Sequence, residues 1–331
     1  MIRLATIGRG NIARQFIAAA KISGQFALSA VYSRDAETGR QWADQHGCAK
    51  VYTDLQALAD APDIDAVYIA SPNICHGPQT EIMLRGGKHV ICEKPIATSA
   101  EEYARLKALA DEKGLIYMEA IIPRFVPWRA AILDALASIG KICTARIDYA
   151  QLTSRYEKLQ RGEQVNIFDM SLAAGTLMDL GIYCVYGAVD LLGMPNKILA
   201  AASYLPSGAD SSGVALFDYG SFTAALTYAK LGEGGIGSEI TGDKGTLVIR
   251  RIGLYTECYV IRGQEKTPIF DTEPKETIMS YEASAFASFI RGENLADYQA
   301  ASELAQKVHT CMDGIKASAG IHYPSRTAMA R

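Results

Sequence analysis

The chain has 331 residues, 49% of them apolar, and a net charge of −3. That length exceeds one ordinary core and predicts two domains. Neither sign of charge dominates any long segment, which argues against a nucleic-acid backbone or an acidic membrane surface as partner.

Ile2 to Ile7 reads as a buried strand running into Gly8-Arg9-Gly10-Asn11-Ile12-Ala13, the pattern Gly-x-Gly-x-x-Ala. In a strand-to-helix turn Gly8 permits the tight bend, Gly10 lets the backbone approach a pyrophosphate, and Ala13 lets the helix lie close to the sheet. An incidental glycine turn is the alternative. The second strand at Phe26 to Tyr32 favours dinucleotide binding, with Arg9, Asn11 and Ile12 completing the loop. At the end of that strand an acid would hold the ribose hydroxyls of NAD, but the chain has Ser33 and Arg34, with Asp35 one position late. Arginine pairs with a phosphate dianion and serine can donate to it, so NADP(H) is favoured over NAD(H), with Arg9 as a second cation.

Further units alternate helix and strand: Ala36 to His46 then a strand near Val51, Leu55 to Ala59 then Ala66 to Ala70, Pro78 to Arg85 then His89 to Glu93, and Ala100 to Lys113 then Ile116 to Glu119. Such alternation predicts a doubly wound parallel sheet over a dinucleotide-binding domain, 1–120. Two strand tips carry polar clusters, Ser71-Pro72-Asn73-x-x-His76 and Glu93-Lys94-Pro95. Beside a ligand crevice, Ser71, Pro72, Asn73, His76 and Glu93 are candidate cofactor contacts, and Lys94 is a candidate catalytic and cofactor-binding group. Taken alone, a helix cap explains the first cluster and a loop salt bridge the second.

Past Ala120 the texture changes, and 121–331 is assigned to a substrate-binding and oligomerisation domain of α+β class, with a C-terminal helix that can pack back on the first domain. Arg124, Phe125 and Trp128 in the crossover are weak substrate-contact candidates, followed by a helix (Ala130 to Ser138) and a strand (Ile142 to Tyr149). The polar run Gln151 to Gln164 reads as an excursion lining the mouth of a site. A long helix opens near Gly175 and ends at Leu192-Gly193, with Asp179 and Tyr183 four apart on one face. Both need partners on a buried helix, and Lys94 is the expected one. Alternating, glycine-punctuated segments from Lys197 to Ile269 predict an open antiparallel or mixed sheet with helices on one face. If Val214, Leu216, Phe222 and Leu226 make its other face apolar, a second subunit covers it, giving a homodimer or a dimer of dimers. Helices at Ile278 to Arg291 and Ala300 to Ala319 close the chain.

The seven cysteines lack Cys-x-x-Cys spacing and read as reduced core residues, and no metal site is expected. The N-terminus lacks signal-peptide regions and no apolar run reads as long enough to span a bilayer, so a cytoplasmic location is expected.

Gly-x-Gly-x-x-Ala at 8–13, Ser-Pro-Asn-x-x-His at 71–76, Glu-Lys-Pro at 93–95, Gly-Thr-Leu-Met-Asp-Leu-Gly-Ile-Tyr at 175–183 and Ile-Thr-Gly-Asp-Lys-Gly-Thr-Leu at 240–247 together resemble the glucose-fructose oxidoreductase, inositol dehydrogenase and MocA (Gfo/Idh/MocA) family. Tyr183, where many inositol dehydrogenases carry histidine, brings the chain closer to the dihydrodiol dehydrogenase and NADP-linked xylose dehydrogenase branch. The resemblance implies a Rossmann domain and hydride transfer between nicotinamide C4 and a carbinol or carbonyl carbon of a sugar, polyol, diol or dicarbonyl. Tyr183 is then the acid/base, Lys94 the charge that tunes it and orients the ribose, and Asp179 the group fixing Lys94 or a substrate hydroxyl; Lys94 could instead be the proton donor. Two rival readings are an NADP(H)-sensing regulator without turnover, which predicts a degraded catalytic set, and a glycosidase that recycles bound NAD, which has no need of a 2′-phosphate site.

Overall fold

The computed structural model describes residues 1–270 and 274–323, which fall into two compact units: 1–125 with 274–303, and 126–270 with 304–323.

The first unit alternates β1 (Ile2–Ile7), α1 (Asn11–Ser23), β2 (Phe26–Tyr32), α2 (Ala36–Gln45), β3 (Lys50–Tyr52), α3 (Leu55–Ala59), β4 (Ala66–Ile69), α4 (Asn73–Arg85), β5 (His89–Glu93), α5 (Ala100–Glu112) and β6 (Tyr117–Ala120). The side chains of Asp35, Asp54 and Ser99 accept backbone N–H groups at the starts of α2, α3 and α5, which is why those helices begin where they do. All strand pairs are parallel, in the order β3-β2-β1-β4-β5-β6, the doubly wound arrangement. β4 and β6 are buried along their whole length, as strands covered on both faces must be. Helix α4 starts five residues earlier than the sequence predicts, because Pro78 sits inside the helix rather than opening it, and Asn73 to His76 form its first turn.

Helix α6 (Ile122–Phe125) ends the N-terminal stretch of the first unit, and the second unit opens with α7 (Arg129–Ser138), β7 (Ile142–Ala150) and a short α8 (Tyr156–Gln160) within the polar excursion. Then come a π-helical turn, Leu177–Gly181, and α9 (Ile182–Leu192). The strands β8 (Lys197–Tyr204), β9 (Asp210–Asp218), β10 (Thr223–Ala229), β11 (Ser238–Gly242), β12 (Gly245–Arg251), β13 (Thr256–Arg262) and β14 (Glu265–Pro268) join β7 in one sheet, ordered β14-β13-β12-β11-β7-β10-β9-β8. Only β7 and β10 run parallel, so the sheet is mixed and mostly antiparallel. On β10 the inward set is Ala224, Leu226 and Tyr228, and Lys230, one residue past the strand, continues it; all four are buried. Leu226 therefore faces the core, not the outer face; Leu199, Val214 and Leu216 are the exposed apolar residues there, at 52%, 42% and 42%.

Helix α10 (Lys275–Ile290) lies in the first unit, where Phe26 of β2 packs on Phe286 with ring centroids 6.1 Å apart. Helix α11 (Leu295–Ala319) begins in the first unit and continues in the second. The run Met170–Leu192 is, against expectation, long and apolar enough by length and composition to cross a membrane, but 83% of its most apolar stretch is buried within the protein. All seven cysteines are free and five are buried; Cys143 is exposed.

Candidate active site

In the first unit the sheet order reverses between β1 and β4, the place where doubly wound sheets open a crevice at their strand tips. Gly8 has φ +112, and a Cβ there would lie 2.3 Å from the carbonyl oxygen of Ala70. Gly10, the N-cap of α1, has no side-chain cap, and a Cβ on it would meet nothing within 4 Å. An uncapped helix start beneath open space fits a pyrophosphate, whose oxygens would take the unused N–H groups. Ala13 is fully buried against the sheet, while Arg9 and Asn11 are exposed and Ile12 is half-buried.

Past β2, Arg34 is exposed, whereas Ser33 is 3% exposed and turned inward: its hydroxyl accepts the Asp35 N–H at 3.3 Å and lies 3.4 Å from that of Thr38. Asp35 is engaged as the N-cap of α2, its carboxylate accepting the Thr38 N–H at 2.9 Å. That hydrogen bond first, and Arg9 among lesser causes, hold its pKa below the ordinary value.

The other two strand tips are tied to one another. His76 is buried, with Nδ1 2.8 Å from the carbonyl oxygen of Pro95 and Nε2 2.8 Å from that of Ser71. Burial lowers its pKa, opposed by the two carbonyls, which favour the charged ring. Glu119 accepts the Ile96 N–H at 2.9 Å. The turn carrying half-buried Lys94 is thus pinned immediately after the lysine. Glu93 also points inward: the Tyr68 hydroxyl donates to it at 2.5 Å, and Tyr68 stacks on Phe16 of α1 at 3.8 Å. Ser71 donates to Gln79 at 2.6 Å, and Pro72 is the N-cap of α4, with half-buried Asn73 its first residue. Of the polar residues expected at the cofactor, His76 and Glu93 are therefore built into the scaffold that holds Lys94.

The weak substrate candidates are internal ties. Arg124 donates to the Asp297 carboxylate at 2.5 Å, Phe125 packs on Phe289, and the Trp128 indole N–H donates to the Tyr255 carbonyl at 2.6 Å.

In the second unit, every residue from Gly175 to Val189 is buried except Asp179 and Tyr183. Asp179 lies on the π-helical turn, a feature frequent at functional sites, so the two residues do not stand a plain α-helical turn apart as their spacing predicts. The turn is anchored by buried Asp210 of β9, which accepts the Leu177 N–H at 2.6 Å. Gly175 (φ +154) permits this approach, since a Cβ there would be 2.1 Å from the Asp210 carboxylate. The Tyr183 ring packs against Tyr149, centroids 5.6 Å apart.

Asp179 pairs at 2.6 Å with Lys230, a lysine that is 7% exposed. The sequence reading overlooked Lys230, although the inward alternation Leu226, Tyr228, Lys230 was there to flag it. Lys230 also lines a cavity of about 520 Å³ whose other walls come from Gln151 to Arg155, Lys158 and Gln164 to Ile167, so the polar excursion does border a cavity. Among the described residues no cluster of His, Cys, Asp and Glu is arranged to hold a metal ion.

Burial raises the carboxyls of Glu93 to about 7 and of Asp210 to about 6. Each keeps its proton to higher pH folded than unfolded, so folding takes up protons and both groups subtract stability as pH rises from about 4 to about 7. The expected result is that Asp210→Asn gains thermal stability relative to wild type across the lower part of that window. A difference between the two melting curves that does not vary with pH would rule the effect out.

Residues 2–121 match the family model for the GFO/IDH/MocA oxidoreductases with an NAD-binding Rossmann fold, and residues 135–248 match the model for the GFO/IDH/MocA C-terminal domain. The chain is 37% identical over 329 residues to an uncharacterized oxidoreductase of Escherichia coli (strain K12), covering 98% of each. It is 35% identical to an NADP(+) scyllo-inositol 2-dehydrogenase of Bacillus subtilis (strain 168), over 99% of this chain and 100% of that one. A trans-1,2-dihydrobenzene-1,2-diol dehydrogenase of Mus musculus is 30% identical over 80% of this chain and 79% of its own. The fold is shared with a 3-ketoreductase from Actinomadura kijaniata solved with NADP and TDP-benzene, at TM-score 0.83 and 23% identity over 96% of this chain and 98% of the other. With its glycine cradle, its doubly wound sheet and both domain models matched, the chain belongs to the GFO/IDH/MocA family of NAD(P)-dependent oxidoreductases.

Proposed function

We propose that the protein oxidises a carbinol, or reduces the matching carbonyl, of a sugar, polyol, diol or related small molecule, with Tyr183 as acid/base. The observation that carries this reading is that Asp179 and Tyr183 alone keep partial exposure within an otherwise buried stretch. When bound, the nicotinamide supplies the hydride donor or acceptor. The glycine loop, Asn73 and Lys94 hold the cofactor, and Tyr183 takes or returns the carbinol proton at its hydroxyl. A phenol has an ordinary pKa of about 10, too high for an efficient base at neutral pH, and a nearby ammonium lowers it. Lys94 is assigned that tuning role, and Asp179 with Lys230 forms the polar floor that receives a substrate hydroxyl. The relatives named for an inositol and for a dihydrodiol support this range of substrates. A panel of aldoses, cyclitols, diols and dicarbonyls followed by NADPH fluorescence tests it; no turnover of any would remove the reading.

For the cofactor we propose a preference for NADP(H). Arg34 and Arg9 are exposed, and Asp35, the carboxylate that follows Arg34, is engaged as a helix cap, so cations are available for the ribose. The Bacillus subtilis relative, named as an NADP(+) enzyme, agrees. Titration should give tighter binding of NADPH than NADH, with the preference lost in Arg34→Ala; equal affinities in wild type would refute it.

We further propose a homodimer, or a dimer of dimers, formed through the outer face of the second unit's sheet. Leu199, Val214 and Leu216 leave an apolar strip exposed there, aligned by the register Leu199↔Leu216 on β8 and β9. Light scattering is expected to give at least a dimer mass at micromolar concentration; a monomer mass would count against it.

A further inference from the structure

Eleven residues line the cavity beside Lys230, and none is an aspartate or glutamate. Three are cations, Arg155, Lys158 and Lys230, and three are carboxamides, Gln151, Gln164 and Asn166. Lys230 is matched by Asp179. Arg155 and Lys158 are exposed, and among the described residues neither forms an ion pair, whereas Arg161 on the same excursion pairs with Glu163 at 2.7 Å. Asp169, beside Gln164, is held by the Ser171 hydroxyl and N–H at 2.6 and 2.9 Å. The lining therefore presents two positive charges outside any ion pair, and several amide groups, to whatever enters, while the Glu233 carboxylate accepts the Leu152 N–H of the same wall at 2.9 Å and Glu157 lies between the two cations on α8. At about 520 Å³ the space is of ordinary size for a small-molecule site.

We infer that this cavity binds an anionic group of the substrate, a phosphate or carboxylate carried on a sugar or polyol, with Arg155 and Lys158 as its counter-ions. Arg155 and Lys158 stand three residues apart at the short helix α8, a spacing that places them side by side, and a guanidinium can grip two oxygens of such a group at once. Arginine and lysine donate only, so these two side chains match an acceptor-rich anion better than a neutral polyol, whose hydroxyl protons would turn to the carboxamide oxygens. The inference deepens the oxidoreductase reading above and rests on it.

The test is calorimetric titration of the NADP-loaded chain with D-glucose, D-glucose 6-phosphate and D-glucuronate at low and moderate salt. At least one anionic sugar is expected to bind about tenfold or more tightly than glucose, with the advantage shrinking as salt rises. The double variant Arg155→Ala/Lys158→Ala should lose that advantage, and NADPH titration of the same preparation verifies its fold. Equal affinity for the three sugars, no binding of either anion at millimolar concentration, or an advantage unchanged in the double variant would each overturn the inference. A chain that binds NADPH and turns over neutral polyols with no gain from a charged group sinks only the anion assignment; a chain that neither binds NADPH nor transfers hydride sinks the oxidoreductase reading beneath it.

Discussion

Tyr183→Phe is expected to lower kcat on the order of a hundredfold or more while the affinity for NADP(H) barely moves. Phenylalanine keeps the ring that packs on Tyr149 at 5.6 Å and removes only the hydroxyl, so the variant should fold as wild type does. Lys94→Ala should damage both turnover and cofactor affinity, because one ammonium serves phenol and ribose in the proposed scheme. Asp179→Asn should fall between the two, keeping its shape while giving up the charge that pairs with Lys230. Residues that act as a unit are not additive, so the Lys94/Tyr183 double variant should be little worse than the poorer single variant. Should Tyr183→Phe turn over at a near-normal rate with an unchanged pH profile, the tyrosine is packing and Lys94 carries the proton.

The parts legible in the sequence are those governed by local periodicity and turn chemistry. The alternation of helix and strand specifies the parallel sheet, and Gly8 marks the end of β1 because only a backbone without a Cβ fits there, while Gly10 leaves open space at the start of α1. What stayed hidden depends on contacts distant in sequence. Nothing in Ser-Pro-Asn-x-x-His shows that His76 will bridge Ser71 and Pro95, or that Glu93 will meet Tyr68. Polar residues at strand tips read as ligand contacts when two of them, His76 and Glu93, brace the turn that holds Lys94. The π-helical turn at Leu177–Gly181 has no propensity signature of its own; the buried Asp210, thirty-odd residues away, holds its start. Helix α10 comes after the whole second sheet in the chain, and only its packing with β2 in the first unit tells which core it serves.

Gly8→Ala and Gly10→Ala should separate the fold from the cofactor site. At Gly8 the new methyl would sit 2.3 Å from the Ala70 carbonyl oxygen and 2.7 Å from its carbon. Neither backbone can withdraw, because the Ala70 N–H donates to the Ile7 carbonyl at 2.7 Å and so locks the ends of β1 and β4 together. The φ of +112 adds strain for any residue with a Cβ. A loss of about 3 kcal/mol or more is expected in chemical denaturation without cofactor, within the range for a substitution that breaks a special backbone position. At Gly10 the methyl enters open space, φ is −78, and the N-cap position tolerates alanine at a cost of about 1 kcal/mol or less. Its effect should appear instead on NADP(H), since the methyl occupies the volume through which a pyrophosphate would reach the start of α1. The expected pattern is one variant that unfolds early and one that folds normally but binds NADPH at least about tenfold more weakly. A Gly10→Ala chain with wild-type affinity would mean that the dinucleotide does not lie over this loop.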